Sequence, residues 1–190
     1  MLLLAAGTAT VARAQGGGEH RQGFWWQAGV MAAANREDCT NCAAEEWNEG
    51  VAITLRAGGT VSRYVLLGGE FYGFRHTDDV AQETKLQGIL AIAQWYPWLN
   101  LGGFLRTGIG VSNLNLYIMT ESGASTRADK TGLALSLGIG WDIRVSERFS
   151  ITPLFNSYVN GVGDLEVEPA GTADDVLTTL FTAGVAVTFH

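Results

Sequence analysis

The sequence predicts an all-β fold: a closed eight-stranded antiparallel up-and-down transmembrane β-barrel over residues 23–190. Three observations predict it. The first is the segment 132–144, GLALSLGIGWDIR, in which Leu133, Leu135, Leu137, Ile139, Trp141 and Ile143 alternate with Gly132, Ala134, Ser136, Gly138, Gly140, Asp142 and Arg144. Successive strand side chains point to opposite faces, so this strand has one apolar wall and one small, polar wall. A water-soluble sandwich would decorate the second wall with Lys, Glu and Thr. Gly, Ala and Ser suit a crowded barrel interior, and the apolar wall then faces lipid. The second observation is the number of such segments, eight, joined by connections that alternate long and short. The third is composition: the chain has no apolar run of 18 residues, which excludes a membrane-spanning helix.

The chain begins MLLLAAGTATVARAQ. Residues 1–14 read as a secretory signal peptide, with Leu2 to Ala6 as a short apolar core and Ala12-Arg13-Ala14 as the small-x-small cleavage pattern. The usual basic residues at the extreme start are missing. Residues 15–22, QGGGEHRQ, read as a flexible lead-in.

The first strand is expected over 24–33, with Phe24, Trp26, Ala28, Val30 and Ala32 outward. A polar stretch, 34–50, carries both cysteines. The second strand, 51–58, places Val51, Ile53, Leu55 and Ala57 outward and Arg56 inward. A short link at 60–63 leads to the third strand, 65–75, with Val65, Leu67 and Phe71 outward and Glu70 and Tyr72 inward. Loop 76–83 precedes the fourth strand, 86–96, whose two faces are both largely apolar, so its orientation stays open. Pro97 to Asn100 forms a tight turn. The fifth strand, 103–113, puts Leu105, Thr107, Ile109 and Val111 outward and Arg106 inward. Loop 117–130 leads to the sixth strand, already described, and Ser146-Glu147-Arg148 turns into the seventh, 149–159. Pro153 there lacks an N–H for the ladder and predicts a local bulge or irregularity. Loop 160–175 precedes the last strand, 179–190.

Long connections follow strands one, three, five and seven, the loop asymmetry of an outer-membrane barrel. Aromatic residues gather near the short-turn end: Phe24, Trp26, Tyr96, Trp98, Trp141, Phe149 and Phe189. They read as one interfacial girdle. A soluble calycin-like carrier is the alternative. It would turn Leu133 to Ile143 into a ligand cavity.

The closing segment FTAGVAVTFH places Phe181, Ala183, Val185, Val187 and Phe189 on one face. It resembles the assembly signal at the end of outer-membrane barrels, here Phe181, Val185, Val187 and Phe189. That signal usually ends on the aromatic residue, whereas His190 follows here. Cys39-Thr-Asn-Cys42, LRAGGTVSRYVLLGGE, GIGWDIRVSERFSITP and the VTFH ending, in this order, carry a resemblance to the small eight-stranded outer-membrane β-barrel family, the OmpA/OmpX-like superfamily. The resemblance implies a bacterial outer-membrane location, contact with lipid and lipopolysaccharide, passage through the barrel-assembly machinery and a monomeric state. It implies no settled activity and no cofactor.

Four groups of residues bear on function. Cys39 and Cys42 are the chain's two cysteines. Two cysteines are too few for a four-ligand Cys zinc site, and in an oxidising compartment a loop disulfide is the simplest outcome. Free thiols, or a metal shared with another chain, are the other readings. Arg56, Glu70, Arg106, Asp142 and Arg144 fall on the inward face and read as a lumen charge network, an ionic plug, with a narrow channel as the rival. His76 opens an outer loop with Asp78 and Asp79. It is the one candidate base for a lipid-modifying enzyme, with Ser112 and Ser157 at similar height but joined to it by no motif. A solvated rim histidine is the preferred reading, and no catalytic residue is assigned. Finally, acids crowd the long connections: Glu37, Asp38, Glu45, Glu46, Glu49, Asp78, Asp79, Glu83, Asp164, Glu166, Glu168, Asp174 and Asp175. They read as solvated outer loops, with divalent-cation binding between them and lipopolysaccharide as the sharper alternative; no D-x-D-x-D-G calcium loop occurs and no metal site is assigned. A formal charge of −7 with lysine only at Lys85 and Lys130 argues against nucleic acid. The leading expectation is a structural or interaction protein of the outer membrane rather than an enzyme.

Overall fold

A computed structural model of the chain describes residues 23–38, 47–77, 82–99, 101–119, 125–167 and 171–190. The expected leader and lead-in, residues 1–22, lie outside these. The elements are β1 (Phe24–Asp38), β2 (Trp47–Ser62), β3 (Val65–Thr77), β4 (Gln82–Trp95), β5 (Gly103–Met119), β6 (Ser125–Trp141), β7 (Ile143–Arg144), β8 (Phe149–Val167) and β9 (Gly171–Phe189). All pairings are antiparallel between chain neighbours, and β1 also pairs with β9, which closes the sheet. β7 continues the line of β6 along β8, so the barrel wall has eight strands.

The register sets the barrel's shape. Val187 pairs with Ala28, and the row continues through Leu55, Phe71, Ile89, Val111, Leu133 and Gly161. It returns to β9 at Leu177, a stagger of ten residues (187 − 177). Closing a sheet with such a stagger tilts the strands by about 40°. Each residue then climbs roughly 2.5 Å along the barrel axis. The outward row from Leu133 to Ile143 therefore spans about 25 Å, the height of a lipid-facing apolar band.

Orientation follows the alternation. Leu137 is 67% exposed while its neighbour Ser136 is 3% exposed. Exposed Val30, Leu55, Leu67, Ile109 and Val185 repeat the pattern around the wall. The face row that would line a carrier's ligand cavity is thus on the outside. β4 settles the same way: Ile89 and Trp95 are outward, while Leu86, Leu90 and Ile92 are buried within. Its inward face is apolar because the lumen there is apolar.

The strands run past the expected ends into polar sequence. β6 begins at Ser125 and β9 at Gly171. A bilayer needs only about ten residues per strand, and the extensions continue the ladder beyond the apolar band.

Pro153 acts on the partner strand. It stays in register with Val185 on β9, with no bulge there. On its other side, β6 pairs with β8 down to Gly140↔Leu154, and pairing resumes at Ile143↔Ile151. Pro153 has no N–H for this edge, and the gap separates β6 from β7. Within it the Asp142 N–H donates instead to the Gly102 carbonyl at 3.0 Å. Gly102 has φ +75°, a conformation that suits glycine, and a Cβ there would collide with the Asp142 carbonyl.

Candidate functional site

The lumen is crossed by side chains. Glu70 on β3 is buried between two arginines: Oε1 accepts from Arg56 Nη2 at 2.8 Å, and Oε2 lies 3.5 Å from Arg106 Nε. Tyr158 on β8 donates its hydroxyl to Glu70 Oε1 at 2.6 Å. Tyr72 donates to Asn160 Oδ1 at 2.5 Å, and the Tyr72 and Tyr158 rings stack with centroids 4.3 Å apart. β3 and β8 are four strands apart in either direction around the barrel. These contacts therefore bridge opposite walls. Glycine makes the room: a Cβ on Gly88 would strike the Tyr72 ring, and one on Gly138 would sit 2.6 Å from Asn156 Oδ1. Asn156 in turn accepts from Arg106 Nη2 and donates to Thr182 Oγ1 at 3.0 Å.

The five inward charges do not form one cluster. Arg56, Glu70 and Arg106 come together. Asp142 sits nearer the short-turn end, accepting from Tyr96 Oη at 2.8 Å and from Thr152 Oγ1 at 2.7 Å. His190 Nε2 lies 3.3 Å from Asp142 Oδ2, the oxygen that Tyr96 also reaches. A chain of neutral groups links the two clusters: Arg56 donates to Gln27, Gln27 to Thr188 Oγ1 at 2.7 Å, and Thr188 and Thr152 share a bond of 2.7 Å. Across both clusters Arg56 and Arg106 balance Glu70 and Asp142. Arg144 stands apart, half-buried on β7, with no ion pair among the described residues. Its place on the inward face, beyond the last lumen layer, leaves it no carboxylate to meet.

Above this polar half the lumen is mainly apolar, with Asn35, Thr84 and Thr178 buried there too. Leu86, Leu114, Leu180, Phe74 and Val176 are buried on the inward face toward the long connections.

The exterior carries two groups of contacting aromatic rings. Trp26, Phe149 and Phe189 contact one another near the short turns, with centroids 5.3–6.4 Å apart. Tyr96 is not part of that girdle: it is fully buried and serves Asp142. Toward the other end Trp47 packs on Phe181 at 5.8 Å and Phe181 on Phe155 at 6.1 Å. The four residues expected to form the assembly signal, Phe181, Val185, Val187 and Phe189, share the outward face of β9.

The remaining candidates are quickly placed. His76 Nδ1 donates to the Glu49 carbonyl at 2.5 Å. Ser112 is buried in the lumen and Ser157 lies on the outward face of β8, and neither bonds His76. Cys39 and Cys42 lie outside the described residues, as do Glu45, Glu46, Asp78, Asp79 and Glu168 and the side chains of the other distal acids. Asp38 pairs with Arg36 at 3.0 Å. Burial pushes the Glu37 carboxyl up, partly offset by the Asn35 hydrogen bond. No group of metal-ligating side chains occurs among the described residues.

Sequence reasoning missed Tyr158, Asn156 and Gln27 as members of the network. All three are polar residues on the inward parity of their strands, which is the signal that marks them.

No family model matches the sequence, and no curated protein matches it. Solved structures do match. The attachment invasion locus protein Ail of Yersinia pestis is 15% identical, covers 88% of this chain and 99% of its own, and superimposes with a TM-score of 0.61. Neisserial surface protein A is 12% identical, with coverage of 87% and 96% and a TM-score of 0.55. The outer membrane protein OprG of Pseudomonas aeruginosa is 12% identical, with coverage of 90% and 98% and a TM-score of 0.52. The chain has the fold of small eight-stranded outer-membrane β-barrels.

Proposed function

We propose that this chain is a structural or interaction protein of the bacterial outer membrane, a barrel with a plugged lumen that presents its longer connections outside the cell. The observation that carries the reading is the bridge across the lumen, in which Glu70 holds Arg56 and Arg106 while Tyr158 and Tyr72 reach it from the opposite wall. An unpaired charge in this setting is costly, so the pairs hold the side chains in the pore. Lipid is the solvent of the apolar band, and lipopolysaccharide is the partner for the outer rim. The outward face of Phe181, Val185, Val187 and Phe189 is available to the barrel-assembly machinery. Residues 1–14 act as the export signal, and Cys39 and Cys42 close a small disulfide in the first outer connection. The barrel works as a monomer without cofactor.

Catalysis is not part of the proposal. A general base must reach its nucleophile, and among the described residues no serine hydroxyl hydrogen-bonds His76, whose partner is the Glu49 carbonyl. The test is single-channel recording of the folded protein in planar bilayers. The plug predicts no steady open-channel current. Sustained conductance in the unmodified protein would replace the plug by a narrow channel.

A further inference from the structure

β1 and β9 form the seam that closes the barrel, and its outermost rungs are Glu37↔Thr178 and Asp38↔Leu177. They stand beyond the apolar band, where the outward residues flanking Glu37, Arg36 and Asp38, pair with each other at 3.0 Å. Glu37 shares the inward face with Met31, Ala33 and Asn35. Asn35 Nδ2 donates to Glu37 Oε1 at 3.3 Å, while Asn35 Oδ1 has no hydrogen-bond partner among the described residues. Thr178, opposite Glu37 on the same face, has an Oγ1 that is likewise without one. Asn35 and Thr178 are fully buried, out of reach of bulk water. Facing side chains on an antiparallel pair have Cβ atoms about 5 Å apart, so the three groups share one patch. No ion pair reaches Glu37 among the described residues. At this height β2 offers Asn48 and β8 offers Asn160, both uncharged. The charged or titratable groups across the mouth are His76 on β3 and Lys130 on β6.

We propose that Asn35, Glu37 and Thr178 form an acid-operated clasp at the outer end of the closing seam. The number of donors separates its two states. With Glu37 ionised, Asn35 Oδ1 and the carboxylate compete for the single Thr178 hydroxyl proton, and one acceptor goes without. Protonation supplies the missing donor. Glu37 then donates to Thr178 Oγ1, Thr178 to Asn35 Oδ1, and Asn35 Nδ2 to Glu37 Oε1. The closed ring ties β1 to β9 at the base of the first outer connection, which begins at residue 39. A buried acceptor without a donor is destabilising, so the closed ring is the favoured state once Glu37 is protonated. Burial pushes the Glu37 carboxyl above its usual range, partly offset by the Asn35 hydrogen bond. The clasp's contribution is therefore full below the unfolded chain's carboxyl value, about 4.3, and is lost as the pH climbs through the higher folded value.

The test is solution NMR of the folded full chain in phosphatidylcholine nanodiscs from about pH 4 to about pH 8, a range that brackets glutamate and histidine titration. Two signals are followed: the Glu37 carboxyl carbon, and amide exchange at residues 35–38 and 177–180, corrected for the intrinsic pH dependence of exchange. In the unmodified protein the Glu37 carboxyl should titrate above the exposed glutamates, with several-fold greater amide protection on the acid side. E37Q, whose side-chain amide donates as the protonated acid does, should hold the acid-side protection at every pH. T178V should lose the acid gain. A Glu37 carboxyl that titrates with the exposed glutamates overturns the inference, as does protection in the unmodified chain that ignores pH. So does a rise in protection on acidification that persists in E37Q or in T178V. Calcium chloride that reproduces the acid-side protection at neutral pH would replace the proton by a cation and overturn it too. The carboxyl titration is read on the unmodified protein, so it decides the matter even where a variant fails to insert.

Discussion

The two halves of the lumen are filled by different physics. Toward the short turns, Arg56, Glu70, Arg106 and Asp142 are held by specific partners at specific distances. Toward the long connections, Leu86, Leu114, Leu180 and Val176 fill a mainly apolar layer, with uncharged Thr84, Thr178 and Asn35 between them. The polar half is specified atom by atom, since every buried charge needs its partner. The apolar half is specified by volume, and cores accept shape-conserving exchanges with small losses. One barrel thus combines a lumen half that tolerates little with one that tolerates much.

Four substitutions sharpen this contrast. Glu70→Gln keeps the shape and removes the carboxylate between two guanidiniums. Its expected cost is about 3–5 kcal/mol in urea unfolding from lipid vesicles. Adding Arg106→Met should recover part of that loss, because one unmatched cation is removed with it. If E70Q unfolds at the urea concentration of the unmodified protein, the polar half is not held by its ion pairs. A smaller effect, about 1.5–3 kcal/mol, is expected for Asp142→Asn, which weakens charged hydrogen bonds from Tyr96 and Thr152 at the barrel's end. The smallest belongs to Leu114→Met in the apolar half, at under about 1.5 kcal/mol. A loss there as large as that of E70Q would erase the distinction between the halves.

The same contrast explains what could be read beforehand. On β6 the alternation of Leu133 to Ile143 with glycine, alanine and serine was legible because its inner positions are small and polar. On β4 it was not, because Leu86, Leu90 and Ile92 face an apolar lumen while Ile89 faces lipid. Strand ends were misjudged where the ladder leaves the bilayer and polar residues continue it, as at the start of β6. Parity placed Arg56, Glu70 and Arg106 inside but could not divide them from Asp142 and Arg144. That division depends on height along the barrel and on the gap opposite Pro153.

By itself, the order of residues determined the class of fold and, on every strand but β4, the wall's two faces. A period of two is a local property, and lipid enforces it along the central part of every strand. Only the closed barrel decided which inward residues meet. Tyr72 and Tyr158 are distant in the chain and lie on opposite walls, and a stagger of ten residues sets the heights at which such groups face one another. Contacts across a lumen depend on closure and tilt, which no single strand encodes.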